Sequence, residues 1–404
     1  MRRAAYLLLA SALATGCDPA RDPAGTSSSR DSSGVVIAEN AGPPPEPGPW
    51  RLSPEPVLEI GTIEGDEAYV FGRIRGAVRL SDGRIAVADA GAPDLRIFDA
   101  EGRHVRTLGR EGEGPGEFQG PSLLGALPGD TLVVVDGQLR RISLFHPDAG
   151  FIRSATPGDE VPGFLQAVGM FGSGAVVYGS TVNEGGVAEG FDRRPIEFRS
   201  LALDGRLSAE LGTFPGYERV QALMSGDEGT AVMVGTAPFG KEAATAVGEH
   251  RFYCGVQDTW EINVLRPDGS LERLIRWNRP PRPVTDEDVA AFVEDQVADL
   301  PDNDLAIRYR RLYRDAPVPA LHPAHGSLRV DRLGWLWVQE ARVSDDEPNR
   351  WILVDPEGRV AGAVDLPSRF TIEDVGADYV LGRQVDNLGV YYVRMYALTR
   401  PPAG

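Results

Sequence analysis

From residue 75 onward, short apolar runs alternate with polar turns in a pattern that repeats. RGAVRLSDGRIAVADAGAPDLRIFDAEGRHVRTLG (75–109) is followed by PSLLGALPGDTLVVVDGQLRRISLFHPDAGFIRSATPG (121–158). Each unit has an apolar run, an Asp-Gly or Gly-Asp turn, and a β-rich run ending in aspartate (Asp89, Asp136). A third run ends at Phe98-Asp99 or Phe145-His146, and a glycine turn then leads into a fourth. Asp89 to Asp136 and Phe98 to Phe145 both step by 47 residues. Four short strands per period of about 40–50 residues predict one propeller blade per repeat.

The pattern continues with more drift. Phe164–Phe171, Ala175–Gly179, Ile196–Leu203 and Leu207–Gly212 predict a third blade, with a long excursion between its second and third strands. Ala243–Val247, Phe252–Val256, Trp260–Leu265 and Leu271–Trp277 predict a fourth. Gly326–Val330, Leu336–Glu340, Arg350–Val354 and Val360–Leu366 predict a fifth. Tyr379–Val385 and Val390–Leu398 supply two strands of a sixth. Val35–Ile37 and Pro56–Gly61 are expected to complete that blade and close the ring, since an open β edge invites aggregation. The fold class is therefore all-β, a six-bladed β-propeller over residues 35–400.

Two segments depart from the repeat. LGREGEGPGEF (108–118) has the glycines of a phosphate loop, but such a loop should open a helix, and strand-forming sequence follows it. Glu111, Glu113 and Glu117 would also repel phosphate. It reads as a connector between blades, with Phe118 packed at the junction. After NRPPRPV (278–284), TDEDVAAFVEDQVADL places Thr285 as a cap, acids in the first turn, and Val289, Phe292, Val293 and Val297 on one face. With a second helix at Leu305–Tyr313, this predicts a helical insertion, about 285–313, between blades 4 and 5.

The N-terminus is processing sequence rather than fold. Arg2 and Arg3 precede an apolar stretch, Ala4–Leu13, too short to span a bilayer. Ala14-Thr15-Gly16-Cys17 resembles the bacterial lipobox, which implies a signal peptide over 1–16 and lipidation at Cys17. Residues 17–34, rich in serine and aspartate, are expected to form a flexible tether that lifts the domain off the membrane surface. Acyl chains would hold the protein in the cell envelope, facing the periplasm or the cell surface. With Cys17 acylated, Cys254 has no disulfide partner, and its apolar surroundings suit a buried structural thiol. The formal charge of −18 repels polyanions and argues against a nucleic-acid partner.

The motifs Asp82-Gly83, Val87-Ala88-Asp89, Arg96-Ile97-Phe98-Asp99 and Gly112–Phe118 resemble the NHL-type repeats of six-bladed propellers. The whole chain resembles bacterial six-bladed propeller lipoproteins. This resemblance implies a fold and a surface location but no single reaction.

In enzymatic propellers of this shape, the resemblance implies carboxylates, asparagines or histidines gathered around a channel metal, close to the innermost strands. The corresponding positions here are Arg73, Arg75, Gln119, Gln166, Lys241, His322, His325, Glu373 and Asp374. This mixture suits a hard cation poorly, so no metal or other cofactor is expected. His322-Pro323-Ala324-His325 lacks a third ligand and reads as a loop. Arg73, Arg75, Gln119, Gln166, His325, Glu373 and Asp374 are the candidate ligand-binding residues. Ring closure is expected to make Arg73 and Arg75 neighbours of Glu373 and Asp374 at the channel mouth. No catalytic residue stands out, and no G-x-S-x-G elbow occurs. The favoured reading is a membrane-anchored module that binds a protein, peptide or small ligand. The alternative is an extracytoplasmic lactonase, hydrolase or lyase working at the channel mouth.

Overall fold

The structure, a computed structural model, describes residues 27–158, 161, 165–182, 190–226, 229–297, 304–344 and 347–401. Six antiparallel blades follow one another around a ring. Blade 1 comprises Ile74–Arg79, Ile85–Asp89, Asp94–Phe98 and His104–Leu108. Blade 2 comprises Pro121–Ala126, Leu132–Asp136, Arg141–His146 and Gly150–Ala155. Blades 3, 4 and 5 start at Gln166–Met170, Ala244–Val247 and Leu328–Val330. Blade 6 consists of Phe370–Val375, Tyr379–Val385 and Tyr391–Thr399, completed from the N-terminus. The innermost strand Phe370–Val375 adds to the two strands that the sequence pattern predicts for this blade.

The near-continuous apolar runs of the second strands follow from burial on both faces. Side chains alternate across a strand, so Ile85 and Val87 pack toward blade 6 while Ala86 and Ala88 pack toward blade 2. Blade 2 repeats the device: Leu132 and Val134 face blade 1, and Val133 and Val135 face blade 3. Each such valine or leucine contributes about 1.5–3 kcal/mol by leaving water. Separate apolar clusters fill all six inter-blade interfaces, including the one between blades 6 and 1.

Ring closure comes from Arg51–Leu52 and Leu58–Ile60, both antiparallel to Tyr391–Thr399. Trp50 reinforces it, buried edge-on against Trp335 and Trp337 at 4.9 and 6.3 Å, with Arg400 over its ring. Val35–Asn40 does not enter blade 6 as expected. It lies parallel to the outer strand Leu271–Trp277 of blade 4, where the Asn40 amide donates to the carbonyls of Arg276 and Gly358. The expected tether also needs correcting. Ser27–Ser32 forms a strand paired with Val35–Asn40, and every one of its residues is exposed. Cys17, the signal peptide and the rest of the tether lie outside the described residues.

The connector at 108–118 folds on itself. Phe118 N–H donates to the Arg110 carbonyl at 2.8 Å, and Gly112 N–H donates to the Phe118 carbonyl at 2.9 Å. Gly109 and Gly116, at φ 72° and 77°, occupy the left-handed region. Phe118 is fully buried between blades 1 and 2, 5.4 Å from Phe145. No helix follows, so the segment is a blade connector.

The helical insertion consists of α1 (Asp286–Val297) and α2 (Asp304–Arg314). It packs on a small sheet absent from the sequence reading, built from Gly190–Asp192, Arg219–Gly226 and Gly229–Thr236. Phe292 and Tyr313 meet Val220 and Ala237 there. Among the described residues no helix is long and apolar enough to cross a membrane.

Candidate functional site

Two buried aspartates set the geometry where the chain enters a blade. Asp89 accepts from the backbone N–H groups of Gly72, Arg73 and Gly91 at 2.7–2.9 Å. The approach is so close that a Cβ on Gly91 would lie 2.4 Å from the Gly72 Cα. Asp136 accepts from Gln119, Gly120, Gln138 and Leu139 in blade 2. These carboxylates clamp the start of the innermost strand to the following hairpin, and Arg73 and Gln119 sit on the clamped segments.

Just inside the clamps, four innermost strands carry a β-bulge. The extra residues are Arg75, Ser122, Val168 and Glu373, in blades 1, 2, 3 and 6. A bulge re-aims one side chain out of the ladder. Arg75 and Ser122 are exposed on the channel side of the ring, while Val168 and Glu373 are partly covered.

Around the junction of blades 5, 6 and 1 the bulge residues meet further charges. Glu373 pairs with Arg383, on the second strand of blade 6. Arg329, on the innermost strand of blade 5, donates through Nε to the Ile372 carbonyl and through Nη1 to the Leu328 carbonyl, both at 3.0 Å. Burial pushes the Glu373 carboxyl up, opposed by Arg383, Arg329 and Arg75. Burial pushes the Arg329 guanidinium down, and Arg383 adds to that while Glu373 opposes it. Arg75 is lowered by partial desolvation and by Arg73 and Arg383, against Tyr391 and Glu373. Guanidinium stays ionised across such shifts. The result is three cations around one carboxylate. Two of the cations are held by hydrogen bonds, whereas the exposed Arg75 guanidinium makes neither a hydrogen bond nor an ion pair among the described residues.

The structure thus brings Arg75 and Glu373 together, with Arg73 beside Arg75 only, and adds Arg329 and Arg383, which the sequence reading missed. A charged residue inside the short apolar strand Leu328-Arg329-Val330 was the available signal. Asp374 does not join them. The bulge at Glu373 breaks the regular alternation and sets Asp374 opposite Leu381, and Asp374 turns to Arg332 at 2.6 Å, the Arg79 N–H at 3.1 Å and the Tyr379 hydroxyl at 2.8 Å. His325 is also misplaced by the sequence reading. It is fully buried between blades 4 and 5, edge-on to Trp260, with Nδ1 on the Gly326 carbonyl. Burial lowers its pKa to about 4. Gln119 Nε2 donates to Glu113 of its own connector. Gln166 is exposed at the start of blade 3 and makes no bond to the cluster.

The other positions considered are structural. His322 binds Asp288 at 3.1 Å and ties α1 to the propeller, and Lys241 pairs with Asp258 at 3.4 Å. Cys254 is buried, and its thiol pKa is pushed up by desolvation. No group of three or more His, Cys, Asp or Glu side chains placed to hold a metal occurs among the described residues.

A family model described as a 6-bladed beta-propeller, DUF5128, matches residues 63–122, which span blade 1 and the connector. No curated protein matches the chain. Among solved structures the chain is similar to a DUF4221 family member from Bacteroides vulgatus, at 13% identity over 87% of this chain and 99% of that one, TM-score 0.49. It is similar to virginiamycin B lyase from Staphylococcus aureus, at 9% identity over 87% and 100%, TM-score 0.42. It is also similar to a gluconolactonase from Xanthomonas campestris, at 13% identity over 94% and 99%, TM-score 0.41. At such identities ligand and reaction must be read from this chain's own side chains.

Proposed function

We propose that this propeller is an extracytoplasmic binding module, lipid-anchored through Cys17, that takes a small molecule or peptide at the channel mouth. The observation that carries the reading is Arg75. A bulge lifts this guanidinium out of the ladder beside two immobilised ones, and it remains exposed and unpaired. A purely structural arginine would be expected to hold a partner, as Arg332 and Arg400 do here. Pre-placed polar groups at the mouth of a largely rigid ring suit ligand capture with little ordering cost.

The test compares wild type with Arg75→Ala, each purified from the native host and denatured to release what came with it. A small molecule or peptide found by mass spectrometry with wild type and lost in the variant, at unfolding free energies within about 1 kcal/mol of each other, supports the reading. The same released species from both proteins contradicts it. Chemical conversion of the released ligand by wild type would make the module an enzyme. The anchor is tested separately: a radioactive fatty acid should label wild type in the host, and labelling that persists in Cys17→Ser would refute it.

A further inference from the structure

We infer that the ligand presents an oxyanion, carboxylate or phosphate, to the Arg75, Arg329 and Arg383 guanidiniums, with Glu373 standing in for it when the site is empty. This rests on the channel-mouth reading above and assigns its chemical class. The innermost strands of blades 1, 5 and 6 and the second strand of blade 6 bring three guanidiniums and one carboxylate to one junction. The local balance is therefore positive in a chain whose formal charge is −18. Salt screens the field of a charge over about 8 Å at physiological ionic strength, so a bound group responds to this cluster rather than to the distant acidic surface.

The donors match the class. The planar fork of arginine meets carboxylate and phosphate with two parallel charge-assisted hydrogen bonds, roughly twice as strong as those to a neutral acceptor, and a cationic group is repelled. Arg329 spends Nε and Nη1 on backbone carbonyls, which fixes the plane of its guanidinium. Arg383 is held by Glu373, the single anion of the group. Arg75 is left to bind the incoming charge. An oxyanion entering beside Arg75 would compete with Glu373 for Arg383, so the two substitutions should act in opposite directions.

Isothermal titration of the full chain at constant ionic strength tests this with sodium succinate, inorganic phosphate, neutral succinamide and 1,4-diaminobutane. Succinate or phosphate should bind wild type, whichever responds more identifying the source of the oxyanion. Affinity should fall about tenfold in Arg75→Gln and rise about tenfold in Glu373→Gln, the scale of one partly desolvated charge contact. A structural role for either residue would not produce this opposed pair. Equal affinity in all three proteins would overturn the inference. So would binding of succinamide or diaminobutane without succinate or phosphate; if Arg75→Gln altered that binding, the channel-mouth reading would survive while the oxyanion class fell. No binding of any probe to wild type would count against both.

Discussion

Asp136 shows how a single side chain can fix a blade entry. Its fully buried carboxylate accepts four backbone N–H groups. Asp136→Ala would leave those donors with no partner away from water, at about 1–3 kcal/mol for each that water cannot reach. We expect a loss of about 3–5 kcal/mol in urea unfolding, with at most about half restored in Asp136→Asn, whose one carbonyl oxygen can accept two of the four while its NH2 faces the other two. His325 makes the opposite kind of contribution. Its folded pKa is about 4, below the ordinary histidine value, because burial disfavours the charged ring. Between about pH 6.5 and 4 the unfolded chain therefore binds the extra proton, so stability falls as the pH drops through this window. The full loss is about 3 kcal/mol below pH 4. Unfolding measured at pH 7 and pH 4.5 should show a smaller difference in His325→Asn than in wild type. An unchanged difference would mean that the ring titrates normally.

At the scale of elements, the N-terminal strands divide into two classes. Leu58 and Ile60 are buried against blades 1 and 6, and Trp50 packs between blades 5 and 6. Ser27–Ser32 is exposed throughout and covers only the edge of Val35–Asn40. Starting the chain at residue 35 should therefore change the melting temperature little. Starting it at residue 62 removes the strands that close the ring and exposes edges on both sides of the gap, so lost cooperativity or aggregation is expected. Equal melting curves for the two truncations would mean that the ring closes without its N-terminal strands. The same contrast explains what could be read in advance. Leu58–Ile60 lies just before the first repeat, so the rule against open edges placed it. Val35–Asn40 pairs in parallel with a strand more than two hundred residues away, and no local pattern encodes such a partner.

For the whole molecule, the repeat of Asp–Gly turns and two-sided apolar strands made six blades legible, because each blade solves the same packing problem. The candidate site was legible only in part. Arg75 and Glu373 could be paired from their places at the two ends of the ring. Neither the bulges that re-aim them, one of which also parts Asp374 from Glu373, nor the burial of His325 edge-on to Trp260 has a local sequence signature. The small sheet beneath α1 and α2 was missed because its strands interrupt the repeat instead of continuing it. The central claim is that the channel mouth at blades 5, 6 and 1 is a binding site for an oxyanion. A crystal structure of the full chain grown with sodium selenate, with data collected at the selenium edge, tests it most directly. The account predicts an anomalous peak within hydrogen-bonding distance of the Arg75 guanidinium, and its loss in Arg75→Gln. Selenate bound only elsewhere on the protein, with the guanidiniums of Arg75, Arg329 and Arg383 bare, would contradict it.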